Sequence, residues 1–246
     1  MKIFAVGLGP GAAEYLAPGA REAILRSDVI IGYTGYIELL ADLVNGKRVI
    51  STGMTGEVER CEAAIREALN GEQVCVVSGG DAGIYGMASL LFELAEKHPG
   101  VEIEVIPGIT AAVAAAAVLG SPLTNDFAVI SLSDLLTPWD LIEKRLEAAA
   151  SADFVICLYN PQSVNRSGYL EKACDIALRH KPPGTVCGYV RNALRSRANS
   201  ITGECCICTL AELRQAQADM QTTVIIGNVN TRVISGKLVT ARGYML

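Results

Sequence analysis

Four turns hold most of the residues that could do chemistry, and each directly follows an apolar run. They are Gly7-Leu8-Gly9-Pro10-Gly11-Ala12, Ser78-Gly79-Gly80-Asp81-Ala82-Gly83-Ile84-Tyr85-Gly86, Pro107-Gly108-Ile109-Thr110-Ala111 and Tyr159-Asn160-Pro161. Glycine has no Cβ, so such turns let the atoms of a ligand approach the backbone closely. Asp81, in their midst, can meet a cation or a hydroxyl. The first turn formally fits the dinucleotide pattern G-x-G-x-x-A. Against that reading, Pro10 removes an amide where a pyrophosphate wants donors, and the next apolar run ends in Gly32-Tyr33 where a ribose-binding acid would stand. A P-loop is excluded because no Gly-Lys-Ser/Thr follows. Singly each turn also suits a tight strand-to-helix connection; together they point to one ligand cleft.

Conventional acid–base equipment is scarce. The two histidines, His98 and His180, fall near predicted helix ends shortly before prolines, where capping is the ordinary role. Neither lies in a glycine-rich turn, so no Ser-His-Asp or Cys-His pair is available. An enzyme with so few proton carriers relies on a reactive co-substrate and mainly positions it. Among the eight cysteines only Cys205-Cys206-x-Cys208 forms a cluster. Adjacent strand residues point to opposite faces, so this trio reads as small hydrophobes holding no metal.

The elements that must position the turns follow from the apolar pattern. Strands are expected at residues 3–6, 29–31, 74–77 and 101–106, with helices at 18–26, 36–44, 57–69, 87–97 and 110–119. A polar break, Gly120-Ser121-Pro122-Leu123-Thr124-Asn125-Asp126, then separates two α/β domains, 1–121 and 126–246. Beyond it, strands at 128–132, 154–158, 185–190, 205–208 and 223–226 alternate with helices at 138–150, 168–180 and 210–217. Buried strands alternating with helices define the α/β class, whose ligands sit at strand carboxyl ends.

Composition narrows the function classes. The 246 residues are 50% hydrophobic and 19% charged, which excludes disorder, and the net charge of −5 argues against nucleic acid or an anionic membrane as partner. The longest apolar stretch, residues 111–119, falls short of the ~20 residues a membrane span needs. Without a secretion signal the expected location is the cytoplasm, with thiols reduced.

The whole chain resembles the S-adenosylmethionine-dependent tetrapyrrole methyltransferases of cobalamin biosynthesis. The Gly7, Gly79, Pro107 and Leu158-Tyr159-Asn160-Pro161 motifs occur in that family's order. Within it, the branch acting on carbon 17 of precorrin-3B or cobalt-precorrin-3 is nearest, on residues 78–88 (SGGDAGIYGMA), 130–139 (ISLSDLLTPW), Ile142-Glu143-Lys144-Arg145 and Arg242-Gly243-Tyr244. Ala82 stands where the wider family usually has proline. The resemblance implies a homodimer of two α/β domains with a cofactor cleft between them, and methyl transfer to carbon 17 with ring contraction. It assigns S-adenosylmethionine to Pro10, Gly79, Gly80, Asp81, Ile84, Thr110, Ala111, Asn160 and Ala193, with helix N-termini near Gly86 and Thr110 favouring its carboxylate.

For proton handling the catalytic candidates are Asp81, Tyr85, Asp134 and Tyr159; Asp134 also suits a cap on the helix near Pro138. Trp139 reads as a packing anchor. The anionic tetrapyrrole substrate is assigned to Gly9, Gly11, Ser133, Arg191 and Arg195. The arginines belong to Arg191-Asn192-Ala193-Leu194-Arg195-Ser196-Arg197, the densest cationic stretch, directly after a predicted strand. The alternatives are a methyltransferase of the same family acting at another ring carbon, a non-catalytic S-adenosylmethionine sensor, and a nucleotide-binding oxidoreductase.

Overall fold

The apolar runs of the first half lie in a parallel sheet, as near-continuous hydrophobic strands should. In the computed structural model, which describes residues 1–40, 42–163, 166–195 and 204–245, the chain divides into two units, Met1–Thr110 and Ala111–Leu246. The first contains β1 (Lys2–Gly7), α1 (Pro18–Arg26), β2 (Val29–Tyr33), α2 (Thr34–Ile37), β3 (Arg48–Thr52), α3 (Glu57–Leu69), β4 (Val74–Ser78), α4 (Ala88–Ala95) and β5 (Glu102–Ile106). The sheet order is β3-β2-β4-β1-β5, with every pairing parallel.

Alternate strand residues feed two cores. Ile3, Ala5, Ile31 and Val76 pack with Cys61, Ala64, Ile65 and Ala68 of α3 and Leu91 of α4. Phe4, Val6, Ile30 and Val77 pack with Ala20 and Ile24 of α1. Ile3, Ile24, Ile30 and Ile31 are fully buried, each contributing about 1.5–3 kcal/mol. The buried Glu67 accepts both Arg48 nitrogens at 2.9 Å, which ties the edge strand β3 to α3. The helix expected over 36–44 is shorter: α2 is one turn, and Glu38–Leu40 is a 3₁₀ turn. Gly35 lowers helix propensity there, and Gly46, at φ +76°, takes the chain into a turn.

The second unit contains α5 (Ala111–Leu119), β6 (Gly120–Ser121), β7 (Phe127–Ser131), α6 (Trp139–Ser151), β8 (Val155–Tyr159), α7 (Tyr169–Leu178), β9 (Val186–Arg191), β10 (Glu204–Thr209), α8 (Leu210–Leu213), β11 (Thr222–Ile226), β12 (Thr231–Ile234) and β13 (Lys237–Thr240). Its main sheet runs β10-β9-β11-β8-β7, and β12-β13-β6 form a small second sheet. Only β7 and β8 pair in parallel in the main sheet; β8–β11, β11–β9 and β9–β10 are antiparallel.

The division falls at Thr110, before the polar break at 120–126, because α5 belongs to the second core. Ala112, Ala115, Ala116 and Leu119 bury against Val155, Cys157, Val190 and Ile225. A Cβ at Gly188 would stand 2.8 Å from the Leu119 side chain, so glycine in β9 lets α5 seat closely. Among the described residues, no helix is long and apolar enough to cross a membrane.

Candidate functional site

In the first unit the sheet register brings three strand ends together. Gly7 is level with Ser78, and Val6 with Ile106, so the turns after β1, β4 and β5 leave side by side. Gly9 and Gly80, each two residues past its strand, then exchange two backbone hydrogen bonds of 2.9 and 2.8 Å as an isolated antiparallel bridge. Both hold positive φ, near +69°, which glycine adopts without a Cβ clash. A Cβ at Gly108 would sit 2.2 Å from the Gly80 carbonyl oxygen, and one at Gly7 would sit 2.7 Å from the same atom. These glycines are thus required by the turns' own close packing.

Asp81 clasps two of those turns. Its Oδ1 accepts from Gly83 N–H at 2.8 Å, and its Oδ2 from Gly108 N–H at 2.9 Å. Past the clasp the turn opens to solvent: Ile84 is 40% exposed and Tyr85 59% exposed, the latter at φ +53°. A Cβ at Gly79 would lie 2.6 Å from the ring of Tyr36, which packs edge-on against Tyr33 at 5.3 Å. Tyr36 is therefore a wall of this turn that sequence reasoning missed.

The second unit places its candidates in two groups. Asn160 follows β8 at φ +52° and donates from Nδ2 to Ser131 Oγ at 3.0 Å; Ser133 N–H donates to the same oxygen at 3.2 Å. Tyr159 accepts the Ala112 N–H at its hydroxyl, 2.7 Å away, which joins β8 to the first turn of α5. Asp134 turns elsewhere. Its Oδ2 accepts from the Tyr169 hydroxyl at 2.7 Å, and this hydrogen bond pushes the phenol pKa up. It does not cap α6, whose N-cap is Pro138 without a side-chain bond. Trp139 packs on Tyr169 at 4.7 Å and against the core, an anchor as expected.

After β9 the chain takes a strained turn. Asn192 and Leu194, flanking Ala193, hold φ +54° and +52°. Arg191 is engaged by carboxylates of its own unit, with Nε 2.7 Å from Asp219 and a nitrogen 3.8 Å from Glu204. Arg195 N–H closes the turn on the Asn192 carbonyl at 3.1 Å; Ser196 and Arg197 lie outside the described residues. Asn192 Oδ1 is buried without a hydrogen-bond partner.

Of seven described non-glycine residues at positive φ, Tyr85, Asn160, Asn192 and Leu194 occupy or flank turns expected to hold a ligand. Such residues cost about 1–3 kcal/mol each and concentrate where function needs them. The cysteine trio differs. Cys205 is exposed, whereas Cys206 and Cys208 are half-buried on the other face of β10, and burial pushes the Cys208 thiol up to about 12. No cluster of three metal-capable residues occurs among the described residues.

Comparison with known proteins sets this geometry in context. A family model for Tetrapyrrole (Corrin/Porphyrin) Methylases matches residues 2–205. The chain is 46% identical over 242 residues to a probable cobalt-factor III C(17)-methyltransferase of Salmonella typhimurium, covering 98% of both chains. It is 45% identical to a cobalt-factor III methyltransferase of Priestia megaterium, where 99% of this chain spans only 45% of that longer protein. Among solved structures it is similar to the methyltransferase CobJ, with a TM-score of 0.87 and 35% identity over 98% of this chain and 99% of that one.

Proposed function

The chain belongs to the tetrapyrrole (corrin/porphyrin) methylases, and from that membership we propose that it methylates carbon 17 of a cobalt-factor III-type tetrapyrrole, using S-adenosylmethionine. The names of its relatives support the substrate class. The observation carrying the site assignment is the set of left-handed residues at strand ends, together with the orphaned acceptor Asn192 Oδ1. That buried oxygen fits a donor from the ribose hydroxyls or the adenine amino group. When bound, S-adenosylmethionine supplies an electrophilic methyl group on its sulfonium.

The chain's own residues position that methyl group. The Asp81 clasp holds the 79–86 turn; with both carboxylate oxygens engaged, Asp81 is a positioning residue in this reading. Ile84 and Tyr85 offer apolar cover to an adenosine. Asn160, fixed by Ser131, and Ala193, held between two left-handed residues, present backbone groups at fixed positions. Pro10, Thr110 and Ala111 complete the assigned cofactor contacts. Gly9, Gly11, Ser133 and Arg195 are assigned to the substrate, and Arg191 joins them by exchanging a carboxylate of its own unit for one of the ligand's. Tyr85 and Tyr159 stand as the proton-handling candidates, whereas Asp134 is committed to Tyr169. Orientation of this kind can contribute roughly 7–11 kcal/mol to a transfer without strong acid–base groups. Ring contraction, a homodimer and a cytoplasmic location belong to the same reading.

Calorimetric titration with S-adenosylhomocysteine and with NAD tests it. Binding of the first and not the second is expected. Asn192→Gly keeps the positive φ and removes the acceptor, so it should weaken S-adenosylhomocysteine several-fold without lowering the melting temperature. NAD binding without S-adenosylhomocysteine binding overturns the proposal, and unchanged affinity in the glycine variant removes Asn192 from the site.

A further inference from the structure

Four charged residues are buried among the described ones: Arg60, Glu67, Arg166 and Lys181. Three are answered within the fold. Arg60 donates to Thr52 and Gly53 and pairs with Glu57. Glu67 accepts Arg48, and Lys181 lies 2.7 Å from Asp153. Arg166 is different. It is 8% exposed and its Nε is buried with no hydrogen-bond partner. No described carboxylate forms an ion pair with it, and Asp134, which like Arg166 acts on the Tyr169 phenol, has its Oδ2 on that hydroxyl. Removing a cation from water is unfavourable unless an opposite charge answers it, so this guanidinium is built for a partner from outside the chain.

Its place fits an anion. Arg166 lies between β8 and α7, and its backbone N–H donates to the Ser163 carbonyl at 3.0 Å. Three residues later the ten-residue α7 begins, and its N-cap, Gly168 at φ +80°, offers no side-chain cap to the first amides. Arg166 acts electrostatically on the phenol of Tyr169, the first residue of that helix. Glu171 in the first turn is itself neutralised by Arg214 at 2.7 Å. A fixed cation and an uncapped helix N-terminus therefore adjoin in the connection from β8 to α7. Resting on the methyl-transfer reading, whose two ligands both carry carboxylates, we propose that Arg166 and the N-terminus of α7 form a carboxylate-binding subsite of this enzyme. The guanidinium fork takes one ligand carboxylate in paired hydrogen bonds.

Arg166→Gln and Arg166→Lys in the full chain test this with three readouts: calorimetry with S-adenosylhomocysteine, the KM for cobalt-factor III, and the melting temperature of the ligand-free protein. Arg166→Gln should weaken one ligand roughly ten- to a hundred-fold, with partial recovery in Arg166→Lys. Because an unanswered buried charge is removed, its ligand-free melting temperature should equal or exceed the wild-type value. A raised KM with unchanged S-adenosylhomocysteine affinity assigns the carboxylate to the tetrapyrrole; the reverse assigns it to the amino-acid end of the methyl donor. Normal affinity for both ligands, or a lowered melting temperature as the sole effect, overturns the proposal. Should the glutamine variant fail to fold, the Nε–H resonance of Arg166 in the wild-type protein gives the same answer: a shift with either ligand supports the subsite, and none refutes it. If the wild-type protein binds neither ligand, the methyl-transfer reading fails, and titrating succinate against that resonance decides the subsite separately.

Discussion

Replacing Asp81 separates a clasp from a proton carrier. The carboxylate receives Gly83 N–H and Gly108 N–H at 2.8 and 2.9 Å, one bond on each oxygen. Hydrogen bonds to a charged acceptor are worth about 1.5–3 kcal/mol each, and the half-buried position favours the lower end. Asp81→Ala should therefore cost about 2–4 kcal/mol, and Asp81→Asn, which keeps one acceptor, about 1–2 kcal/mol. For a chain of this size that is a fall in melting temperature of about 4–16 °C for the alanine variant. With the 79–86 turn released from Gly108, affinity for S-adenosylhomocysteine should fall at least about tenfold. Thermal unfolding and calorimetry on the same preparations measure both. An alanine variant that melts and binds like the wild type, yet loses kcat, would refute the clasp and make Asp81 a proton carrier.

Other outcomes follow from particular residues. Gly108→Ala should prevent the three turns from closing, since its Cβ would meet the Gly80 oxygen at 2.2 Å; a soluble variant with wild-type melting behaviour would contradict this. Burial pushes the thiols of Cys61, Cys157 and Cys174 up to about 12, so a thiol reagent at neutral pH should modify exposed Cys205 first, and Cys205→Ser should abolish that fast phase. Replacing Cys205, Cys206 and Cys208 together by serine should leave methylation intact and elemental analysis unchanged; loss of stoichiometric zinc or iron along with activity would reverse the assignment. Arg195→Glu should raise the KM for the tetrapyrrole several-fold, more so at low salt, with S-adenosylhomocysteine affinity unchanged; equal losses for both would indicate general damage. Glu147, held low by its hydrogen bond to His180, and Glu212, held low by Thr209, contribute stability above the ordinary 4.5 and lose it as pH falls through their depressed values. Burial alone would raise Asp219, but bonds from Thr222, Gln221 and Arg191 outweigh it, so it adds to the same acid limb; Asp219→Asn should flatten that limb in melting temperature against pH.

The buried elements were legible because burial writes a period into the residues. Helix α3 spans Glu57–Leu69, as its amphipathic spacing predicts, and the central strands β1, β2 and β4 coincide with apolar runs. Edge elements escaped. Strand β3 (Arg48–Thr52) is half-exposed at the sheet edge and reads as polar, while the β12–β13 hairpin carries its signal in Ser235-Gly236, both at positive φ between alternating residues. The antiparallel placement of β9, β10 and β11 depends on tertiary pairing that no local period reports.

At the site, the turns were legible and the reasons for their glycines were not. Spacing alone suggests room for a ligand, whereas the structure shows that a Cβ at Gly7 or Gly108 would run into the Gly80 carbonyl and the backbone of the facing glycine. Asp134 looked like a helix cap because it precedes Pro138, but its partner Tyr169 lies 35 residues away. Arg166 gave no local signal and the role of Asn192 almost none, since an orphaned buried atom is a property of the fold. Asparagine after a strand was the one available hint, because it tolerates left-handed backbone.

The central claim is transfer of a methyl group to one ring carbon, and isotope placement tests it most directly. The full chain should be incubated with S-adenosylmethionine labelled with carbon-13 in its methyl group and with cobalt-factor III, and the product read by mass and carbon-13 NMR. One labelled methyl on carbon 17 is the predicted result. Label on any other ring carbon, or no transfer by a protein that still binds S-adenosylhomocysteine, would contradict the account.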